Sequence, residues 1–175
     1  SNGMLAAGDE LGINDDHDGI IEITPSDLPS SATLKAGASF AVAFGLDDII
    51  IDIENKMFTH RPDCFGQLGV AREIAGILGK QFTSPDWYQA GAIEKTEQVG
   101  RQLDLEVTND VLDKAPRFMA VAMSGVTVAS SPLWLQIALL AMGSKSINNI
   151  VDLTNYIMLL SGQPTHAYDY NKLRG

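Results

Sequence analysis

Apolar residues recur along this chain in two periods. Short alternating or β-branched runs occur at Gly19–Ile20–Ile21–Glu22–Ile23, Asp48–Ile49–Ile50–Ile51–Asp52–Ile53–Glu54, Leu103–Asp104–Leu105–Glu106–Val107–Thr108 and from Arg117 to Ser124, and each predicts a strand. Phe65, Leu68, Ala71, Ala75 and Leu78 fall at helical spacing, with Val70, Ile74 and Ile77 beside them, and predict a helix closed by Gly79–Lys80. Ser130–Ser131–Pro132 offers a hydroxyl cap and a first-turn proline to a second helix, which runs through Leu133, Trp134, Ile137, Leu140 and Ala141 to Gly143. Asn148–Asn149 caps a last helix through Leu160, ended by Gly162 and Pro164. Pro25–Ser26, Pro29 and Ser30–Ser31 punctuate a linker. Strands and helices mix without strict βαβ alternation. The pattern therefore predicts an α+β fold, with mixed sheets packed on helices.

Polar residues inside this apolar framework are the candidates for chemistry. Asp152, Thr154 and Asn155 fall within the last helix, where asparagine is a poor choice because its amide competes for backbone groups. A buried asparagine left without partners costs about 1–3 kcal/mol, so it either holds a neighbouring loop or lines a polar pocket. Arg61 precedes Pro62, which extends its backbone and projects its guanidinium from a turn. It can serve as a fork for a phosphate, a ribose or a carboxylate, or pair with Asp63 or Glu73. His60 beside it can both donate and accept. His166, beyond Gln163–Pro164, leaves a turn with a rigid approach and is open to a structural or a catalytic role.

Several of these residues sit in a longer motif. Asp152–Leu153–Thr154–Asn155–Tyr156 followed by Gly162–Gln163–Pro164–Thr165–His166–Ala167–Tyr168–Asp169 resembles the "D-V-T-N-Y … G-Q-P-M-H-A-F-D" sequence of the bacterial phenylalanyl-tRNA synthetase beta subunit, in its tRNA-editing region. His60–Arg61–Pro62–Asp63–Cys64–Phe65 with Gly69–Val70–Ala71–Arg72–Glu73 is similar to the same family's "N-R-P-D-C … G-I-A-R-E". Gly3–Met4–Leu5 with Glu10–Leu11–Gly12 resembles the end of that subunit's tRNA-binding domain. The three matches keep the family's order across nearly the whole chain.

Composition narrows the setting. A chain of 175 residues can build one substantial core, and 45% hydrophobic with 19% charged residues is ordinary globular composition. No apolar run reaches the roughly 18–20 residues of a membrane span, and Ser1–Asn2–Gly3 opens no signal peptide. Cys64 is the one cysteine, so no disulfide framework or cysteine-based metal site is expected. These features predict a cytoplasmic protein. Residues 1–56 carry a net charge of −9 within a total of −10, whereas proteins that grip nucleic acid through phosphates present basic surfaces. Any grip on tRNA must come largely from elsewhere in a larger assembly. Asp15–Asp16–His17–Asp18 lacks the spacing and closing glutamate of a calcium loop and is read as a solvated loop, so no metal site is expected.

The resemblance implies a layered β/β/α editing-module fold and an incomplete domain. It assigns residues 1–32 to the tail of a tRNA-binding domain with its linker, and 33–175 to the first part of the editing module. It implies a phenylalanine-tRNA ligase that uses ATP and magnesium, whose aminoacylation site is on an alpha subunit; no phosphate-cradling glycine loop occurs here, so this region is expected to hold no cofactor. The implied local activity is hydrolysis of mischarged tyrosyl-tRNA-Phe, and the implied partners are the alpha subunit and tRNA-Phe, with no membrane. Implied pocket residues are His60, Arg61, Gly143, Thr154, Asn155, Leu160 and His166, with no catalytic group assigned. Leu160 departs from the family, which commonly has a glutamate there that the resemblance ties to recognition of the tyrosine hydroxyl. Leucine cannot do this. The departure keeps a second reading open, a non-catalytic module that braces the subunit and places tRNA.

Overall fold

The computed structural model describes residues 5–30, 32–33, 35–89 and 103–174. Gly3 and Met4 of the Gly3–Met4–Leu5 motif and Ser31 of the linker lie outside the described residues. The chain forms two compact units, one from the segments Ser1–Phe82 and Val128–Ala167, the other from Thr83–Thr127 and Tyr168–Gly175.

The first unit is helical. It contains α1 (Phe40–Phe44), α2 (Gln67–Ile77), α3 (Leu133–Ala141) and α4 (Asn149–Ser161), with 3-10 turns at Pro25–Asp27, Lys56–His60 and Pro62–Phe65. α3 is central. Leu133 and Ile137, four residues apart, share one face and join Ile13 and Phe44 in a buried cluster, against which Ile21, Ile23, Phe40 and Trp134 pack. Ile13, Ile21 and Ile23, from the first 23 residues, thus share a cluster with α1 and α3. Leu135 and Leu139, on the opposite face of α3, are 1% and 0% exposed. α4 packs on α3, and the Trp134 and Tyr156 rings meet edge to face at 5.5 Å. Leu139→Ala should lower the unfolding free energy by about 2–5 kcal/mol, measured by urea denaturation, because a fully enclosed side chain leaves a cavity that its neighbours only partly fill.

The predicted caps are partly reassigned. The Ser130–Ser131 hydroxyls do not cap α3; its N-cap is Pro132 without a side-chain cap bond. Asp27 does the work from a distant segment, accepting from Leu133 N at 3.0 Å while its other oxygen accepts from Thr24 N and Oγ1 at 2.9 and 2.6 Å. Burial opposes its charge, but these hydrogen bonds outweigh the penalty and hold its carboxyl below the usual range. α2 follows the sequence in extent, and Gly79 (φ +62°) closes it as Lys80 N donates to Ala75 O at 2.7 Å. Its buried side is not the predicted stripe, however. Phe65, Ile77 and Leu78 are largely exposed, while Gly66 and Gly69 are buried.

The expected sheets do not form. Among the described residues there are no β-strands, so the predicted α+β fold with layered β/β/α sheets is incorrect for this structure, which is helical. The residues of 19–23, 48–54, 103–108 and 117–124 lack a ladder of paired backbone groups. Ile49, Ile50 and Ile51 are 82%, 71% and 72% exposed. β-branched side chains favour a pleated, half-buried surface, but they do not supply the neighbour that a sheet requires.

The second unit contributes a 3-10 turn at Asp86–Tyr88 and another at Tyr170–Lys172. Asn109 closes a turn by donating through Nδ2 to Ala115 O at 2.7 Å, and Tyr170 OH donates to Asp104 O at 2.6 Å. Phe118, Met119, Val121 and Met123 are exposed. No helix among the described residues is long and apolar enough to cross a membrane.

Candidate functional site

α4 is built by its own sequence. Asn148 has the extended backbone of an N-cap, and its side chain accepts from Ile150 N and Val151 N at 3.1 and 3.0 Å. At the other end Gly162 takes φ +74°, and its N–H bonds Met158 O. Asn149 reaches back to the segment before α3: its N–H donates to Ala129 O at 2.9 Å, and its Oδ1 accepts from Ala129 N at 3.1 Å.

Asp152, in the first turn of α4, is 0% exposed. Its Oδ2 accepts from the Ser131 and Ser146 hydroxyls, the latter at 2.6 Å, and Oδ1 accepts from Ile147 N at 2.8 Å. Burial works against the charge, yet the bonds from Ser131, Ser146 and the Ile147 and Asn148 backbone prevail and keep this carboxyl below its ordinary value.

The two main motif blocks meet through glycines. A Cβ on Gly66 would lie 2.1 Å from Gly162 N and 2.5 Å from the Ser161 carbonyl carbon, so the backbones touch at a distance that no side chain permits. Gly162 in turn faces Pro62 O and Asp63 O, at 2.7 and 3.1 Å from where its Cβ would stand. Gly69 makes the same kind of approach to the Asp63 carbonyl, 1.9 Å from its virtual Cβ. The 62–66 turn is thereby seated between the start of α2 and the end of α4.

Arg61 locks that turn. Its Nε and Nη2 donate to the two oxygens of Asp63 at 3.0 and 2.9 Å, and Nη1 donates to Glu73 at 2.9 Å. Of the uses open to Arg61, ion pairing is the one formed here, with both candidate carboxylates at once. The hydrogen bonds to Asp63 lead in holding the guanidinium charged, and the Asp63 carboxyl is pushed below its usual value chiefly by Arg61. Arg72 approaches Asp63 at 3.5 Å and lies over the Phe82 ring, 5.4 Å from its centre.

The remaining predicted residues fall as follows. Thr154 turns its hydroxyl to Val151 O at 2.7 Å, while its carbonyl accepts from Thr165 Oγ1 at 2.9 Å, which draws the segment before His166 onto the middle of α4. Asn155 and Leu160 are half-buried on the same helix. His166 and His60 are exposed, the latter closing the Lys56–His60 turn. Gly143 is exposed with φ +74°, just after α3. Two cavities of the first unit lie elsewhere. One of about 160 Å³ is bordered by Asn14, Asp16, Asp18, Glu22 and Asp27, and one of about 540 Å³ by Pro29, Ser39, Val42 and Phe44. In the acidic loop, Asp18 N donates to Asp16 at 2.9 Å, while His17 Nδ1 lies 2.7 Å from Asp9 and Asp15 3.7 Å from Lys145 Nζ.

Known proteins bear on this arrangement. Residues 114–175 match the B3/4 domain. The whole chain is 42% identical to the phenylalanine-tRNA ligase beta subunit of Solibacter usitatus and 40% identical to that of Desulfotalea psychrophila, covering 100% of this chain and 20% of each relative. The Thermotoga maritima beta subunit is 37% identical over 99% of this chain, again across 20% of its own length. The chain thus spans about a fifth of the length of the relatives it matches. Sequence reasoning drew attention to Asp152 but not to its partners, because Ser131 lies 21 residues away. An acidic residue in an apolar helix was the available signal. Gly66 carried no signal of its own.

Proposed function

We propose that this chain is the part of a phenylalanine-tRNA ligase beta subunit that spans the end of its tRNA-binding domain and the start of its editing module. The parent enzyme joins phenylalanine to tRNA-Phe with ATP and magnesium, in the cytoplasm, together with an alpha subunit. This region hydrolyses tyrosyl-tRNA-Phe. The observation that carries the reading is the meeting of the two motif blocks at Gly66 and Gly162, within a chain similar to beta subunits from end to end. Two segments about a hundred residues apart build one local structure, and the polar residues of the motif ride on it.

Neither ATP nor magnesium is assigned to residues of this chain. The Arg61 fork is engaged by Asp63 and Glu73, and among the described residues no group of three or more His, Cys, Asp or Glu could hold a metal ion. What these residues offer for ester cleavage is a set of polar groups, Thr154, Asn155 and His166, with His60, Gly143 and Leu160 as the further candidates. Hydrolysis requires an oriented water and donors for the developing oxyanion; backbone N–H groups can supply the latter without a side-chain nucleophile.

Leu160 weakens tyrosine recognition in this reading. A tyrosine hydroxyl entering apolar surroundings loses its water partners at a cost of about 1–3 kcal/mol, and a glutamate at 160 would return a charge-assisted hydrogen bond. Slow tyrosyl-tRNA-Phe deacylation by the complete ligase is expected, with Leu160→Glu faster by about tenfold. Asn155→Ala should reduce it. The half-burial of Leu160 favours the second reading, a non-catalytic brace that positions tRNA. That reading wins if the complete ligase leaves tyrosyl-tRNA-Phe intact and Leu160→Glu only lowers the melting temperature.

A further inference from the structure

We infer that Asp152 is a positioning residue for the editing site, setting the register between the Gly143 loop and α4, which bears Thr154 and Asn155. The inference rests on the editing reading above. Its geometry is specific. Asp152 joins three segments: Ser131 just before α3, Ser146 and Ile147 in the loop that follows Gly143, and the first turn of α4 itself. Asn155 follows it by three residues on the same side of a rigid helix and Thr154 by two on the opposite side, and Gly143 precedes Ser146 by three in the tethered loop.

A helix can slide or rotate against its neighbours unless something fixes its register. One residue of slip turns an α-helix by about 100° and moves it about 1.5 Å, enough to remove Thr154 and Asn155 from any surface shared with the loop. At the far end of α4 the register is set by the contact of Gly66 with Gly162, which is a steric stop. At the near end Asn149 pairs with Ala129, and Asp152 adds the tie to the loop. The chemistry of that tie suits a carboxylate. Asp152 offers only acceptors, and it meets two hydroxyls and an N–H at once. An amide of the same shape keeps one oxygen for the Ile147 N–H and turns its NH2 to the two hydroxyls, which then accept, so charge-assisted bonds give way to longer, weaker neutral ones.

Asp152 has no exposed surface, so it acts through the residues it holds and does not touch substrate. The test uses the complete ligase with Asp152→Asn, Ser146→Ala and Ser146→Thr, assayed below the melting temperature of each variant. The expected result for Asp152→Asn is a fall of about 10-fold to 100-fold in kcat for tyrosyl-tRNA-Phe deacylation, the scale of a misplacement near 1 Å, with KM and the aminoacylation rate retained. Ser146→Ala should lower the same kcat about threefold to tenfold, and Ser146→Thr, which keeps the hydroxyl, should restore it. Should Asp152→Asn not fold, the Ser146 pair decides. Folded variants with wild-type kcat overturn the inference, as does a loss that falls equally on aminoacylation. If Asn155→Ala slows deacylation while the Asp152 and Ser146 variants do not, the inference fails and the editing reading stands. If the wild-type ligase does not deacylate tyrosyl-tRNA-Phe, both fail.

Discussion

Replacing Gly66 by alanine should destabilise the protein by about 3 kcal/mol or more, at or beyond the upper end of ordinary overpacking. The new methyl would stand 2.1 Å from Gly162 N and 2.5 Å from the Ser161 carbonyl carbon. Both are backbone atoms, so no rotamer change can relieve the overlap; the end of α4 must move away from the 62–66 turn. That motion in turn strains the Arg61 clamp on Asp63 and Glu73. Gly162→Ala meets the same wall from the other side, close to Pro62 O, and adds about 1–2 kcal/mol for an alanine at φ +74°. Because one contact is lost in both cases, the double variant should be less destabilised than the sum of the two. Urea denaturation of the three variants checks this. A Gly66→Ala protein within about 0.5 kcal/mol of wild type would mean that the backbone contact does not hold the two blocks together.

Why these positions escaped a reading of the sequence is a matter of what side-chain patterns encode. The stripe Phe65, Leu68, Ala71, Ala75, Leu78 correctly marked a helix, yet α2 is buried through Gly66 and Gly69, which lack side chains to form a stripe. Asn148 and Gly162 gave the limits of α4 because capping is local, a matter of three or four residues. The start of α3 was misread for the complementary reason. Ser130 and Ser131 had the right chemistry, but Asp27, 106 residues earlier, supplies the cap, and Ser131 is drawn to Asp152. The β-branched runs failed in another way: the residues of 48–54 suit a sheet, but whether a partner strand lies alongside is not written in the run itself. The candidate site was legible as two motif blocks and a set of polar residues. Their meeting at two glycines, and the carboxylate that ties one helix to a loop, depend on long-range contacts that spacing does not reveal.

Asp152→Ala should cost about 3 kcal/mol or more at neutral pH, since a hydrogen bond to a charged group is worth about 1.5–3 kcal/mol and three are lost at once. It strips the acceptor from two hydroxyls and the Ile147 N–H, of which the Ser131 hydroxyl belongs to a buried residue. Asp152→Asn should cost less, since one oxygen remains to accept. The pH dependence separates charge from shape. The folded-state pKa of Asp152 lies below its unfolded value of about 3.9, so the folded protein favours the ionised form. Its contribution is therefore present above about pH 4 and is lost as pH falls through the folded pKa. Asp27 and Asp63 are depressed in the same direction and share this acid limb. Unfolding free energies measured from about pH 7 down to about pH 2 should fall for the wild type, and fall less steeply for Asp152→Asn, where only Asp27, Asp63 and weaker contributors remain to titrate. The difference between the two curves isolates the buried carboxylate: widest near neutrality, it should narrow in acid as Asp152 takes up its proton. Parallel curves for the two proteins would show that the network is held by the shape of the side chain and owes nothing to its charge.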